Sequence, residues 1–345
     1  MVPVAILGGS GYTGVELMRL IAMHPEMELV AVSSRQYEGQ QVSRVFGALE
    51  GRVDLAFSGA DPAALAAQAR LVFTAVPHQT AMAAVPAILA TGAKVVDLSA
   101  DFRLCSAPVY EQWYAPHTCP ELLAEAVYGL PEFYRQQVAP ARLVANPGCY
   151  VTSVLVPLAP LLRAGLVSAE GLIADSASGV SGAGRSAKLN LLHGEVHDNF
   201  KAYSVAGHRH TPEMEQELGK AAGQEVRLTF TPHLLPLDRG ILSTIYARPL
   251  GGADEAAVRD CWRAVYGPEP FIRPLPKGVL PATKEVRGTN RVQLAVAGDP
   301  RSGLLKLFSC LDNLTKGASG QALQNANLML GLGETAGLLD LALTP

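Results

Sequence analysis

The 345-residue chain has few cysteines, and their spacing fits neither a disulfide framework nor a zinc ribbon. The five cysteines are odd in number and widely separated, and none belongs to a CxxC pair. Such a pattern is typical of free thiols in a reducing compartment. We therefore expect a cytoplasmic protein.

Long apolar runs and an excess of positive charge are also missing. The opening run MVPVAIL ends at two glycines and has no basic segment before it, so the sequence predicts neither a signal peptide nor a membrane span. Lys and Arg total 28 against 31 Asp and Glu, which argues against nucleic acid or an anionic membrane as partner. An acidic small-molecule ligand would have to be bound by local groups.

The first 150 residues alternate short apolar segments with alanine-rich helical stretches, and 49% of the whole chain is apolar. This alternation predicts a Rossmann-type, doubly wound parallel sheet of the α/β class. The predicted strands are Val4–Leu7, 28–33, 71–76, 93–98 and 142–146.

After residue 150 the chain becomes richer in β segments that are separated by glycine and proline turns. The segments are 172–180, 226–235, 240–250 and 290–298. They predict a second, α+β domain with a mixed sheet. We place the first domain at 1–148 and the second at 149–312, with residues 313–345 packing back on the first domain.

A glycine turn with the GxGxxG spacing, Gly9, Gly11 and Gly14, directly follows the first strand and opens a helix. Glycine lets the backbone approach a pyrophosphate, and the helix N-terminus offers unpaired N–H groups to the anion. The alternative is a turn selected only for tight strand-to-helix packing. The predicted cofactor-binding residues here are Gly8, Gly9, Ser10, Gly11, Tyr12, Thr13 and Gly14.

The end of the second strand lacks the acidic residue that an NAD-binding fold carries there. The chain instead reads Ser33, Ser34 and Arg35. Hydroxyls and a guanidinium can hold a ribose 2′-phosphate by charge-assisted hydrogen bonds, which favours NADP over NAD. A solvated arginine after a strand is the alternative.

Cys149 stands between a Pro-Gly turn and a helical apolar run, in the stretch NPGCYVTS. A thiol in the first turn of a helix has its thiolate stabilised by the helix dipole and by free N–H groups, which predicts a nucleophile. The other four cysteines lack such a setting. A buried structural cysteine is the alternative.

The segment GHRHTPE contains acid–base groups at the start of a predicted helix, with Thr211 as N-cap and Pro212 at N1. His210 is a candidate proton donor to an alkoxide, and Glu213 is a candidate to orient its imidazole. A surface histidine and a dipole-pairing glutamate are the alternatives.

The histidine spacing also allows a metal site, because His193 and His197 lie four residues apart and His208 and His210 two apart. No HExxH arrangement is present, and a metal would leave the glycine turn and the cysteine without a role. We therefore predict no metal.

A thiolate, a proton donor and a nicotinamide together specify the reduction of an activated acyl group through a thioester. The loop SGVSGAGR offers hydroxyls and a cation to a phosphate, so Ser181 and Gly182 are further candidates for cofactor binding. A glycine-rich loop without a ligand is the alternative.

Eight ordered blocks of the sequence resemble the N-acetyl-gamma-glutamyl-phosphate reductase family, which is related to aspartate-semialdehyde dehydrogenase. The blocks are GGSGYTGVEL, DLSADFR, VYGLPE, NPGCYVTS, SGVSGAGR, GHRHTPE, TPHLLPLDRGI and KGASGQALQNANLMLG. The resemblance implies an NADPH-dependent reductase of arginine biosynthesis, a cytoplasmic homodimer or homotetramer that acts on a small acyl phosphate.

The resemblance implies that the domain 1–148 binds NADP and that the α+β domain 149–312 is the catalytic and dimerisation domain. It also implies roles for individual residues. Cys149 would be the acyl-accepting nucleophile, His210 the general acid–base and Glu213 its support. Asn313, Lys316 and Gly317 would border the cofactor. The residues expected to bind substrate are Arg103, Asn146, Arg185, His208 and Arg209.

Three alternatives to this activity remain open from the sequence. A relative in a lysine route acts on a substrate attached to a carrier protein, although its cysteine block departs from NPGCY. A reductase of aspartyl phosphate would use the same chemistry. A non-enzymatic NADP-binding protein would keep the fold without needing a reactive Cys149.

Overall fold

The computed structural model describes residues 1–59, 61–339 and 341–342, and it divides into two compact units. The first unit contains Met1–Pro147 and a returning segment that begins at Ala318, and the second contains Gly148–Gly317. Asn313 to Gly317 thus belong to the second unit, although the sequence groups them with the returning segment. Within the predicted segment 313–345, residues 340 and 343–345 lie outside the described residues.

The first unit is built on a six-stranded parallel sheet with the strand order β2-β1-β3-β4-β6-β5. Its strands are β1 (Val2–Leu7), β2 (Met27–Val32), β3 (Leu71–Thr74), β4 (Lys94–Asp97), β5 (Val127–Tyr128) and β6 (Leu143–Ala145). Its helices before residue 148 are α1 (Tyr12–Ala22), α2 (Val42–Val45), α3 (Pro62–Ala66), α4 (Ala81–Ala90), α5 (Ala107–Trp113) and α6 (Pro131–Val138). The predicted Rossmann-type α/β class is confirmed.

The apolar runs form strands because helices cover the sheet and leave little of it exposed to water. Val4, Ala5 and Ile6 of β1 are consecutive residues, and all three are fully buried. The sequence prediction omits β5, which is only two residues long. A strand of that length has no recognisable periodicity.

The second unit contains a seven-stranded mixed sheet with the order β11-β12-β13-β10-β7-β9-β8. Its strands are β7 (Leu172–Gly179), β8 (Lys201–Ala202), β9 (Leu228–Leu235), β10 (Ile241–Ala247), β11 (Ile272–Pro274), β12 (Val292–Asp299) and β13 (Leu304–Leu311). Its helices are α7 (Cys149–Arg163), α8 (His193–Val196), α9 (Thr211–Ala222) and α10 (Glu255–Tyr266). The predicted α+β domain with a mixed sheet is confirmed, and β13 is a central strand that the sequence prediction omits.

Helix α7 contains two prolines, and α10 compensates for the hydrogen bond that one of them removes. Pro160 has no N–H to donate to the carbonyl of Val156 four residues earlier. The hydroxyl of Tyr266 donates to that carbonyl at 2.6 Å. The carbonyl that Pro160 leaves free is therefore satisfied, and α7 runs through both prolines from Cys149 to Arg163.

The returning segment forms α11 (Gly320–Leu330), which follows a π-helical turn at Thr315–Ser319. Within the first unit, α11 packs against α1, α6 and β4. Short 3₁₀ turns complete the secondary structure at Gly47–Leu49, Pro120–Leu123, Val180–Ala183, Leu189–Leu191 and Thr283–Glu285.

Candidate active site

The glycine turn between β1 and α1 contains two kinds of glycine. A Cβ on Gly9 would lie 2.2 Å from a methyl carbon of Val32, and one on Gly14 would lie 2.6 Å from the backbone of Gly9. Packing is therefore sufficient to explain glycine at these two positions, which is what the alternative interpretation of the turn proposes. A Cβ on Gly11 would meet nothing within 4 Å, and the φ of Gly11 is −79°, which any residue can adopt. The open space at Gly11 fits a ligand that approaches the backbone.

The N-terminus of α1 has the features of an anion site. Gly11 is its N-cap residue and has no side chain that could cap the helix, and the first turn contains no acidic residue. The first N–H groups of the helix are thus available to an anion, and the helix dipole favours negative charge there. These residues fit the pyrophosphate of a dinucleotide.

Ser33 and Ser34 connect the end of β2 to the glycine turn. The Ser33 hydroxyl accepts a hydrogen bond from the N–H of Gly8 at 3.2 Å, and the Ser34 hydroxyl donates to that of Ser10 at 2.9 Å. Both serines are buried, whereas Arg35 is exposed. The serines therefore shape the turn, and the role of the exposed Arg35 at a 2′-phosphate stays a prediction.

Asp97, at the end of β4, is fully buried and should make stability depend on pH. Burial, aided by the neighbouring Asp101 carboxylate, raises the pKa of Asp97 from its ordinary value of 3.8 to about 6. A raised folded-state pKa contributes stability that is fully present below the ordinary value and is lost as the pH rises through about 6.

Asp97→Asn should therefore remove a pH-dependent contribution of up to about 3 kcal/mol from the free energy of unfolding. Urea unfolding of wild type and variant at several pH values between about 4 and 8 measures it. Parallel pH profiles of the two proteins would contradict the prediction.

Cys149 is the first residue of α7 and is half-buried, which agrees with its predicted position at a helix start. Gly148 is the N-cap residue and has no side chain that could cap the helix. The N–H of Gly148 donates to a carboxylate oxygen of Glu213 at 3.0 Å. The carboxylate of Glu213 therefore fixes the backbone immediately before the thiol.

The His210 imidazole lies against the same turn. A Cβ built on Gly148 would lie 2.5 Å from Nε2 of His210, so only glycine allows the ring to approach this closely. His210 is the N-cap residue of α9, and the helix begins at Thr211. The predicted N-cap at Thr211 is therefore wrong by one residue, because Thr211 is the first residue of the helix itself.

His208 is surrounded by aromatic rings that sequence reasoning missed. The rings of Tyr150, Tyr203 and Phe230 pack edge-to-face on it, with centroid distances of 5.4, 5.6 and 5.3 Å. Burial, with a smaller effect of the Arg209 charge, lowers the pKa of His208 from 6.5 to about 4. Its neutral Nδ1 accepts the backbone N–H of His210 at 3.1 Å, so His208 supports the backbone of His210.

The predicted substrate-binding residues are found in different surroundings. Arg185 and Arg209 in the second unit are exposed. In the first unit, Arg103 is buried and donates to the carbonyls of Asn146 at 2.7 Å and Leu98 at 2.8 Å. Asn146 donates to the carbonyl of Ala318 at 3.0 Å, and its own side-chain oxygen accepts from Asn325 at 3.0 Å. Arg103 and Asn146 thus stabilise the first unit as well.

The predicted cofactor residues near the end of the second unit are largely buried. Asn313 donates to the hydroxyl of Ser181 at 2.9 Å and accepts the N–H of Gly240 at 2.7 Å. Gly182 belongs to the same loop, and a Cβ there would lie 3.0 Å from the Ser178 hydroxyl. Their cofactor roles stay predictions.

Lys316 and Gly317 lie on the π-helical turn. Lys316 is fully buried, with its ammonium nitrogen 5.6 Å from the centroid of the Phe271 ring. A Cβ on Gly317 would lie 2.8 Å from the Cβ of Cys149. The missing side chain of Gly317 therefore makes space for the cysteine, a role that spacing in the sequence did not reveal.

The other cysteines differ from Cys149 in their surroundings. Burial raises the pKa of Cys119 to about 11 and that of Cys310 to about 12, and it also raises the pKa of Cys261. Cys105 is exposed and lies in a bend rather than in a helix. Among the described residues, only Cys149 combines partial exposure with the first position of a long helix.

Two of the four histidines of the metal alternative lie on the surface. The rings of His193 and His197 stack at 4.9 Å, and both residues are exposed. No group of three or more His, Cys, Asp or Glu side chains within the described ranges could hold a metal ion. None of the described helices has the length and apolar character needed to cross a membrane.

Two family models together match most of the chain. One is described as "Semialdehyde dehydrogenase, NAD binding domain" and matches residues 3–141. The other is described as "Semialdehyde dehydrogenase, dimerisation domain" and matches residues 149–313.

Curated relatives match over the full length. The chain is 53% identical over 346 residues to an N-acetyl-gamma-glutamyl-phosphate reductase of Geobacter sulfurreducens, covering 100% of both chains. A protein of the same name from Citrifermentans bemidjiense is 52% identical over 339 residues, covering 98% of each chain.

Solved structures share the fold at low identity. Aspartate semialdehyde dehydrogenase II of Vibrio cholerae has a TM-score of 0.73 and 18% identity, covering 96% of this chain and 98% of that one. The Candida albicans aspartate semialdehyde dehydrogenase, solved with NADP, has a TM-score of 0.69 and 17% identity, covering 96% and 99%.

Proposed function

The chain belongs to the N-acetyl-gamma-glutamyl-phosphate reductase family, and from this premise we propose that it reduces N-acetyl-gamma-glutamyl phosphate with NADPH. The products are N-acetylglutamate 5-semialdehyde and phosphate, and the step belongs to arginine biosynthesis. One observation carries the chemical assignment: the first-turn thiol of Cys149 follows a glycine against which the His210 imidazole packs.

The covalent step starts with the Cys149 thiolate. Its sulfur attacks the acyl carbon, the carbon–oxygen bond to phosphate breaks, and phosphate leaves with the electron pair. NADPH, when bound, supplies a hydride to the acyl carbon. His210 gives a proton to the developing alkoxide and takes it back as the carbon–sulfur bond breaks, which releases the aldehyde and the thiolate.

Three features of the second unit support this use of Cys149. The N-terminus of α7, where Cys149 is the first residue, stabilises the thiolate through the helix dipole. Glu213 holds the Gly148 N–H, and His208 holds the His210 N–H. The backbone just before the nucleophile and the backbone of the acid–base group are thus each fixed by a hydrogen bond to a neighbouring side chain.

The cofactor is NADP, and Arg35 is the residue that we propose selects it over NAD. Arg35→Ala should raise the Michaelis constant for NADPH about 10-fold, the factor for one charge-assisted hydrogen bond, and leave that for NADH unchanged. Steady-state kinetics with both cofactors measure the difference. Arg52→Ala, which removes another exposed arginine of the same unit, is the control. Equal effects of Arg35→Ala on both cofactors would refute the assignment.

Substrate choice is tested in the reverse direction with NADP and phosphate. We expect N-acetylglutamate semialdehyde to be oxidised, and aspartate semialdehyde to react at least about 100-fold more slowly, since a site built for polar groups of one substrate rejects another strongly. Preference for aspartate semialdehyde, or activity only with a carrier-linked acyl group, would overturn the substrate.

The enzyme should be a homodimer or homotetramer, in keeping with the dimerisation domain matched at residues 149–313. The scattered, unpaired cysteines favour a cytoplasmic location. Light scattering coupled to size exclusion should give two or four times the monomer mass. A monomer at assay concentration would contradict the proposed assembly.

A further inference from the structure

Four buried polar side chains form a hydrogen-bonded relay where β3 and β4 end. The relay consists of Thr74, Asp97, Ser99 and Asp101, each at most 1% exposed. The hydroxyls of Thr74 and Ser99 donate to the two carboxylate oxygens of Asp97, at 2.5 and 2.7 Å. The N–H of Asp101 then donates to the Ser99 hydroxyl at 3.1 Å. Nothing in the proposed chemistry uses this relay.

The relay ends on the loop Pro77–Thr80, which connects β3 to α4. One carboxylate oxygen of Asp101 accepts the N–H of Gln79 at 2.8 Å, and the other accepts the N–H of Met82 in the first turn of α4 at 3.0 Å. The N–H of Ala100 donates to Nδ1 of His78 at 3.0 Å. The segment after β4 therefore holds this loop at two residues, His78 and Gln79, and holds the start of α4 at Met82.

Gln79 has a backbone conformation that needs such support. Its φ is +72°, in the left-handed region that residues other than glycine rarely adopt. A residue stays in this region only when its surroundings hold it there. The Asp101 carboxylate binds the N–H of that same residue, so it directly opposes relaxation of the loop.

The loop begins beside the glycine turn between β1 and α1, where the dinucleotide is expected to bind. A Cβ on Gly8 would lie 2.8 Å from both the carbonyl oxygen of Ala75 and a methyl carbon of Val76. Dinucleotides bind at the carboxyl ends of the strands in a doubly wound sheet, where β1 and β3 both end. The shape of the loop is thus part of the surface that a dinucleotide meets.

We propose that Asp101 is a positioning residue that keeps the loop Pro77–Thr80 in the conformation that binds NADPH. Asp101 is fully buried and accepts hydrogen bonds from the N–H of Gln79 in the loop, from the N–H of Met82 just after it and from the Tyr110 hydroxyl, so it acts through the loop rather than on the substrate. The proposal rests on NADPH being the cofactor. When only a fraction of molecules has the competent loop, the apparent dissociation constant rises by the inverse of that fraction.

The first test is Asp101→Ala, with NADPH binding measured by fluorescence without acyl substrate. The dissociation constant for NADPH should rise about 10-fold, while kcat at saturating NADPH stays within about twofold of wild type. Asp61→Ala is the matched control. Asp61 also accepts hydrogen bonds from two backbone N–H groups, at the start of α3, so its removal should lower stability without affecting a contact to the loop. An unchanged dissociation constant in Asp101→Ala, or an equal rise in Asp61→Ala, would overturn the proposal.

The second test adds a substitution at Gln79 to Asp101→Ala. Gln79→Gly relieves the cost of positive φ and should lower the dissociation constant about 5-fold again. Gln79→Ala removes the same side chain without freeing the backbone and should restore nothing. Equal effects of glycine and alanine would refute the role of the left-handed backbone.

These binding measurements are separate from the test of the reaction. Wild-type protein that binds NADPH but reduces no acyl phosphate would refute the proposed function and leave the positioning role measurable. If Asp101→Ala does not fold, Asp101→Asn keeps one acceptor oxygen and allows the same comparisons. The dissociation constant for NADPH should rise less in Asp101→Asn than in Asp101→Ala. Gln79→Gly should lower it again, and Gln79→Ala should not.

Discussion

Cys149→Ser should lower kcat by about 10⁴-fold while NADPH binding stays intact. A hydroxyl is not ionised by a helix N-terminus at neutral pH, so the substituted oxygen is a far weaker nucleophile than the thiolate. Serine is nearly isosteric with cysteine. Gly317 packs against the Cβ of Cys149, and a serine at this position has the same Cβ. The loss should therefore reflect chemistry rather than packing.

Isotope exchange tests the acyl-enzyme directly. Wild-type protein should exchange labelled phosphate into the acyl phosphate without NADPH, and Cys149→Ser should lose this exchange. Cys105→Ser, which removes the exposed cysteine of the first unit, is the control and should keep full activity. A near-normal rate in Cys149→Ser would remove the covalent route, although NADPH-dependent reduction could still be measured.

His210→Asn should lower kcat by about 10³-fold, the range expected when a general acid–base is lost. The developing alkoxide would then lack the proton donor that lies against the Cys149 turn, where a Cβ on Gly148 would lie 2.5 Å from Nε2 of His210. Phosphate exchange should persist, because attack by the thiolate precedes the step that needs the imidazole. The two variants thus separate acylation from reduction.

The control for this prediction is His193→Asn, which replaces an exposed histidine of the same unit and should be fully active. Circular dichroism and thermal unfolding of both variants show whether the fold is kept. Loss of exchange together with turnover in a folded His210→Asn would assign His210 to thiolate formation instead of reduction.

Much of the first unit could be predicted because its signals are local. Apolar runs that parallel strands bury on both faces, and a glycine turn at the start of a helix, are visible in short windows of sequence. In the first unit the prediction fails where a strand is too short, as at Val127–Tyr128. In the second unit it fails where a strand follows a turn that was not recognised, as at Leu304–Leu311.

The structural role of each glycine could not be predicted from the sequence, because it depends on neighbouring atoms that are far away in the chain. Gly9 avoids Val32, Gly148 avoids His210 and Gly317 avoids Cys149, whereas Gly11 faces open space. The sequence contains the same letter at all four positions. Only the fold distinguishes a glycine required by packing from one at which a ligand can approach.

The sequence alone determined the two-domain plan, the dinucleotide turn and the cysteine at a helix start, because each depends on residues that are neighbours in the chain. Tertiary structure decided what holds these elements in place. Glu213 reaches Gly148 across 65 residues, and Asp101 reaches Gln79 across 22. A carboxylate can accept any N–H that the fold brings within about 3 Å, so its partner follows from the packing of helices and strands rather than from spacing in the chain.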